Sequence, residues 1–302
     1  MAAGYLEVIG KIVREIISMS STQPLFSVLI ANYNNGRYLM GAVESIRQQS
    51  YKNWEIVLVD DCSVDNSGEL YKDLEKDARI RIFRNERNMG CGYTKRCCVE
   101  NSRGELCGFL DPDDEILPNA LQVMVETHQA HPEVSLVTSR YYFCDENLNP
   151  YRESRPLVIP KGKDFFTMAA YTAEVFSAFK RSCYDKTEGI STKYHLGVDQ
   201  DLYFKLEEVA PIYPINDLTY KYRIYNGSIS SNELRARYWN MIIHHEVCLR
   251  RGLNPDEYSF KDMFIIKNYC QDQVRKSAPY RLGRAILAPI YFIKDLLQKK
   301  HN

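Results

Sequence analysis

Apolar and polar positions fall into blocks that alternate along the first half of the chain. Residues 26–32, Phe-Ser-Val-Leu-Ile-Ala-Asn, are nearly all apolar, as a strand buried on both faces should be. The turn Tyr33-Asn34-Asn35-Gly36 follows, and then Leu39, Val43 and Ile46 recur at helical spacing and predict a helix over 37–49. Residues 54–59 predict a second strand, closed by Asp60-Asp61-Cys62-Ser63. Asp65 suits the N-cap of a helix that runs to Lys76. A third strand is expected over 79–84, a loop at 88–92, a helix over 93–101 and a fourth strand over 106–110. Pro112 cannot donate to a sheet ladder, so the fourth strand must end before it. Four strand–helix alternations with short connections predict an α/β fold. Its sheet is mostly parallel, with helices on both faces and right-handed crossovers.

The alternation loosens after a helix at 119–130 and a longer strand at 134–143. Residues 145–165 hold Pro150, Pro156 and Pro160 and read as an ordered loop or a sheet edge. Residues 171–181 are apolar and aromatic. Gly197-Val198-Asp199-Gln200-Asp201 leads into a helix over 202–208, and strands are expected at 212–214 and 219–224. A polar loop at 225–230 precedes a region that reads as helical from Glu233 to the end. At the other terminus Leu6, Ile9, Val13, Ile16 and Ile17 recur at helical spacing. The expected organisation is an amphipathic helix and linker over 1–24, the α/β domain over 25–232, and a C-terminal helical region over 233–302.

A chain of 302 residues can hold one large domain or a domain with an appendage. Lys and Arg together equal Asp and Glu together, so the zero formal charge shows no bias towards nucleic acid. The nine cysteines include no Cys-x-x-Cys pair. Cys62, Cys107 and Cys144 lie in or beside apolar runs, where a free thiol packs as a small hydrophobe. That usage implies a reducing, cytoplasmic compartment. No segment reaches the length of a membrane span, and the six histidines lack a metal-binding spacing.

The chemistry gathers at strand ends. Apolar residues 106–110 run straight into Asp111, Asp113 and Asp114. Carboxylates crowded at a strand end repel one another unless a cation or protons neutralise them. Hard divalent ions with oxygen ligands and a phosphate partner suit such a cluster. Ligands of open α/β sheets bind beyond the carboxyl ends of the strands. Tyr33 and Asp61 stand at two more such ends, one able to stack on a nucleobase and the other to accept from a base N–H. Taken singly, each is an ordinary turn residue; on successive strand ends they describe a crevice for a metal-bound diphosphate. An EF-hand loop needs Gly where Ile116 stands, and a dinucleotide fingerprint needs a third Gly where Lys95 stands. There is no P-loop and no Gly-x-Ser-x-Gly elbow.

Residues 25–230 resemble a family 2 glycosyltransferase of the GT-A fold. The resemblance rests on 26–34, on Val57-Leu-Val-Asp60-Asp61-Cys-Ser63, on Leu110-Asp111-Pro-Asp113-Asp114, and on Gly197-Val-Asp199-Gln-Asp201-Leu202. It implies that Ala31, Tyr33 and Asp61 bind the donor nucleotide, that Asp111 and Asp113 bind a divalent metal (Mn²⁺ or Mg²⁺), and that Asp114 is the acidic residue beside them. It implies Asp199 as the catalytic base. The chain departs from the family at several points. Val198 replaces the frequent Glu before the base, which leaves Asp201 as a rival. Thr94-Lys95-Arg96 stands where Ala-Arg-Asn is common, so Lys95 is taken to keep a positive charge near the nucleotide. Tyr225 stands where His is frequent. Arg223, Ser228 and Ser230 are candidates for phosphate or acceptor contacts.

The expectation is an inverting, metal-dependent transfer of a sugar from a nucleotide-diphosphate sugar to a hydroxyl of a glycan or lipid-linked acceptor, in cell-surface polysaccharide synthesis. A sugar-nucleotide pyrophosphorylase would carry a Gly-rich loop where Asn32-Tyr-Asn-Asn-Gly-Arg37 stands. A non-catalytic nucleotide-sugar-binding protein would not need Asp61, Asp111, Asp113 and Asp199 together. Residues 275–300 mix Arg275, Lys276, Arg281, Arg284, Lys294, Lys299 and Lys300 with an apolar set. That pattern suits peripheral contact with the inner face of an anionic membrane, or packing on the body or on a second subunit of a homodimer.

Overall fold

The computed structural model describes residues 23–168, 176–194, 196–225, 233–258 and 275–276. The expected N-terminal helix, Ser228, Ser230 and almost all of the basic C-terminal segment lie outside the described residues. The chain divides into two compact units, residues 1–228 and 229–302.

In the first unit β1 (Phe26–Asn32), β2 (Trp54–Asp60), β3 (Ile80–Arg84) and β4 (Leu106–Phe109) are the four expected strands. They lie parallel in the order β3-β2-β1-β4. β2 is wholly buried, and β1 is buried except at Ala31, which is partly exposed. Between the strands run α1 (Gly36–Arg47), α2 (Ser67–Leu74) and α3 (Cys91–Asn101), with α4 (Ala120–Ala130) after them. α1 buries Leu39, Ala42, Val43 and Ile46 in one core with Val28, Ile30, Ile56 and Leu58 of the sheet. Each fully buried Leu, Ile or Val side chain among them contributes roughly 1.5–3 kcal/mol.

The sheet stops being parallel past β4. β8 (Ser177–Lys180) lies antiparallel between β4 and β6 (Leu136–Cys144), and β9 (Ile212–Arg223) runs parallel to β6. β5 (Glu115–Ile116) closes the order against β9, and β7 (Pro150–Glu153) pairs with β6 within the stretch expected to be loop or edge. Antiparallel partners need no crossover helix, which is why the strand–helix rhythm fades from the sequence here. Residues 212–214 and 219–224 belong to one strand, because register shifts between Thr138 and Tyr141 absorb the irregular residues between them.

Two boundaries and one residue differ in ways that matter. α2 starts after Asp65, whose carboxylate accepts from Ser67 N–H (3.0 Å) and Gly36 N–H (2.8 Å). Asp65 therefore ties the β1 loop to the β2 loop and is not the N-cap. Cys62 is half-buried with a positive φ of 64°, a turn residue and not a packed thiol. α7 (Val198–Val209) begins four residues earlier than expected, straight after Gly197 in the left-handed region, so Asp199 and Asp201 share its first turn. Two short helices, α5 (Phe165–Met168) and α6 (Arg181–Tyr184), complete this unit, and α8 (Glu233–Arg250) and α9 (Pro255–Tyr258) belong to the second. No helix among the described residues is long and apolar enough to cross a membrane.

Candidate active site

β1 and β4 are neighbours in space and not in sequence, so the sheet changes its direction of growth between them. The crevice beyond their carboxyl ends is where such a sheet binds ligands. Tyr33 projects at the end of β1 with 45% of its surface exposed. Behind it Asn32 donates to Ser67 Oγ (3.0 Å) and Tyr71 OH (2.8 Å), and Tyr71 donates to Asp60 (2.8 Å). Asp60 also accepts from Arg84 Nε at 3.1 Å and is fully buried. This network holds the two loops in register.

Asp61 is buried beside the exposed tyrosine. Its Oδ1 accepts from Asn85 Nδ2 (2.7 Å) and Met89 N–H (2.8 Å), and its Oδ2 from Gly90 N–H (2.8 Å). A carboxylate has about four lone-pair sites. Three are spent on shaping the loop before α3, which leaves one for a ligand.

The acidic cluster after β4 divides its work. Asp114 is buried, accepting from Tyr220 OH and Arg223 N–H at 2.7 Å each. It pins the loop to β9. Burial first, then Asp113 and Asp111, push its pKa well above the carboxylate range. Asp113 accepts from Tyr225 OH at 3.1 Å, and burial followed by the Asp111 charge raises its pKa too. Asp111 is half-exposed. Arg223, a candidate for phosphate, is buried: its guanidinium donates to the carbonyls of Asp113 and Glu146 and stacks on Tyr38 at 4.4 Å.

Lys95 is the hub. It rises from α3, is buried, and grips both oxygens of Asp199 at 2.8 and 2.9 Å. Its Nζ also lies 3.3 Å from Asp111 and 5.0 Å from the centre of the Phe109 ring. Burial acts to lower its pKa, but Asp111 and Asp199 outweigh that and hold it well above the usual lysine value. Asp199 keeps a third of its side chain exposed. Asp201, two residues on, is fully buried and pairs with Lys205 at 2.7 Å. Asp61, Asp111, Asp113, Asp199 and Lys95 thus meet at one end of the sheet, while Asp201 and Asp114 are built into its walls.

A family model described as Glycosyl transferase family 2 matches residues 27–187, more than half of the chain. The chain belongs to glycosyltransferase family 2. It is 27% identical over 269 residues to the glycosyltransferase GlyG of Streptococcus pneumoniae, covering 82% of this chain and 88% of that protein. Among solved structures it resembles S. aureus TarS in complex with UDP-GlcNAc, with a TM-score of 0.64, 18% identity, and 77% and 69% of the two chains covered. It also resembles a mannosyltransferase from Pyrobaculum calidifontis in complex with GDP-Man and Mn²⁺, with a TM-score of 0.58, 15% identity, and 90% and 81% covered. The fold of this family 2 member is accordingly GT-A. α7, with Asp199, lies beyond the residues the family model matches.

The donor set of this glycosyltransferase fits a hard divalent ion. Asp111 and Asp113 offer oxygens only, and a cation, Lys95, already leans on Asp111. Among the described residues no three His, Cys, Asp or Glu side chains converge on one point, so two carboxylates would hold the ion and diphosphate oxygens and water would complete its shell. Sequence reasoning missed Asn85, Tyr220 and Tyr71. All three act through hydrogen bonds to acidic residues on other elements, from 11 to 106 positions away, and nothing local marks them.

Proposed function

We propose that this glycosyltransferase moves a sugar from a nucleotide-diphosphate sugar to an acceptor hydroxyl with inversion. The observation that carries the reading is Asp199. It is a partly exposed carboxylate on the first turn of α7, linked through Lys95 to Asp111 across the crevice. Asp199 takes the proton of the acceptor hydroxyl as that oxygen attacks the anomeric carbon. Such general base catalysis is worth about 10²–10⁴-fold. Tyr33 stacks on the base, Asp61 accepts from it with its remaining lone pair, and Ala31 lines the floor. Asp111 and Asp113 would hold Mn²⁺ or Mg²⁺, which supplies Lewis-acid stabilisation to the departing diphosphate. The UDP-GlcNAc and GDP-Man–Mn²⁺ complexes of the similar structures support a nucleotide-sugar donor and an ion. The curated relatives, among them a Bacillus subtilis protein named as a putative teichuronic acid biosynthesis glycosyltransferase, support a cell-surface glycan or lipid-linked acceptor. Action at the inner face of the cytoplasmic membrane, through the basic segment 275–300, fits such an acceptor. Pelleting with anionic vesicles at low salt and release at high salt is the expected result; indifference to the vesicles removes the membrane part.

A thermal-shift screen of nucleoside diphosphates with and without Mn²⁺ tests the site, because a ligand of the native state raises its melting temperature. Asp113→Asn gives it a sharp control. The Asp113 pKa is raised by burial and by Asp111, so its charge opposes folding at neutral pH. Stability from this group is present below the unfolded pKa and lost as pH rises through the folded one. The variant should melt no lower than wild type without metal, yet gain nothing from Mn²⁺ with nucleotide. A variant with an undiminished Mn²⁺ gain refutes the metal site.

A further inference from the structure

We propose that Lys95 is the resting counter-ion of this site, a built-in cation that competes with the divalent ion for Asp111. The inference rests on the metal reading above and deepens it. Three observations carry it. The Lys95 side chain is 5% exposed, so bulk water cannot neutralise it and its charge must be met by protein groups. Among the described residues the carboxylates within 4 Å of its Nζ are Asp199 and Asp111. The half-exposed Asp111 is also one of the two carboxylates available to an incoming ion.

The backbone beneath the lysine is closely packed. A Cβ at Gly92, one turn before Lys95, would lie 2.4 Å from the Ser191 carbonyl oxygen and 3.2 Å from Val198 Cγ1. α3 is thus pressed against the segment that leads into α7, and the stem of Lys95 starts from a fixed point. A divalent ion on Asp111 and Asp113 repels the ammonium, which yields Asp111 and keeps Asp199. Before loading, the single charge of Lys95 offsets half of the charge of the two carboxylates and limits their splaying apart under like-charge repulsion. The cost is a weaker grip on the ion alone than two such carboxylates would otherwise have.

Mn²⁺ alone is titrated into the full chain, and into Lys95→Gln and Lys95→Arg, with free Mn²⁺ read by electron paramagnetic resonance; the series is repeated with UDP and with GDP. Lys95→Gln is expected to bind Mn²⁺ about tenfold more tightly than wild type, and Lys95→Arg to bind close to wild type. A Mn²⁺ affinity in Lys95→Gln that is equal to wild type or weaker overturns the inference and leaves the metal reading standing. No Mn²⁺ binding by any of the three, with either nucleotide present, overturns the metal reading and the inference with it. If Lys95→Gln does not fold, the same comparison is made between Asp199→Asn and Asp199→Asn/Lys95→Gln, in which one uncompensated charge has been removed, with the same two criteria.

Discussion

Asp199 and Asp201 stand two positions apart, and their environments are opposite. On a helix that spacing turns the side chain by about 200° around the axis. Asp199 faces the crevice and Lys95, whereas Asp201 faces inward to Lys205, which also donates to the Gly189 carbonyl at 3.0 Å. The proposed base can therefore be separated from its rival. Asp199→Asn should keep the melting temperature within a few degrees and lose about 10²–10⁴-fold in transfer. Asp201→Asn strands a buried ammonium and should cost about 3–5 kcal/mol of stability, with activity retained at a temperature where the variant is folded. Melting curves and nucleotide-sugar consumption on both variants check this. A dead, stable Asp201→Asn beside an active Asp199→Asn would reverse the assignment.

At the scale of elements the site depends on how closely α3 approaches the segment before α7. Gly92 permits that approach, since an added Cβ meets backbone at 2.4 Å and not a yielding side-chain tip. Gly92→Ala should push α3 outward and cost roughly 1–3 kcal/mol. Its effect on activity should be larger than its effect on stability, because Lys95 and Asp199 bridge that same gap. A 1 Å displacement of positioned groups can cost about 10²-fold. Melting temperature and turnover measured together test this; an alanine variant with full turnover means that the approach is slack. Sequence reading placed Gly92 in a loop with Gly90, and it missed that α3 begins at Cys91 and that Gly92 is helical.

At the scale of the whole molecule, two buried histidines contribute to the response to acid. His128 on α4 is buried with Nε2 2.9 Å from the Ala178 carbonyl, which makes Nε2 the donor. Burial lowers its pKa from 6.5 to about 4. His244 of the second unit is lowered to about 4 by burial as well. A depressed pKa means fewer protons bound when folded, so this stability is present above pH 6.5 and is lost as pH falls towards 4. Between pH 7 and pH 5 wild type should lose about 2 kcal/mol that His128→Gln does not lose. Asp113 and Asp114, with raised pKa values, work in the other direction, so the difference between the two proteins is the quantity to measure. Urea midpoints at the two pH values supply it, and parallel losses would mean that His128 is accessible to protons in the folded state.

The amino-acid sequence by itself determined the four parallel strands, the helices between them, and the strand ends where Tyr33, Asp61 and Asp111 stand. Those features follow from local periodicity and from Pro112, which cannot continue a ladder. It brought Asp199 forward as the base and left Asp201 as its rival, because both are acidic and both lie near a helix start. Only the tertiary structure parted them, through burial and through lysines 104 residues away in one case and four in the other. The same holds for Asp114 and Arg223. Read along the chain they are a charge beside a metal motif and a candidate for phosphate; folded, they are bonded to each other's strand and loop. The antiparallel half of the sheet was equally hidden, since β8 lies beside β4 by contacts between residues some seventy positions apart. Hydrophobic pattern reports which face of an element is buried, and only the packed fold decides what it is buried against.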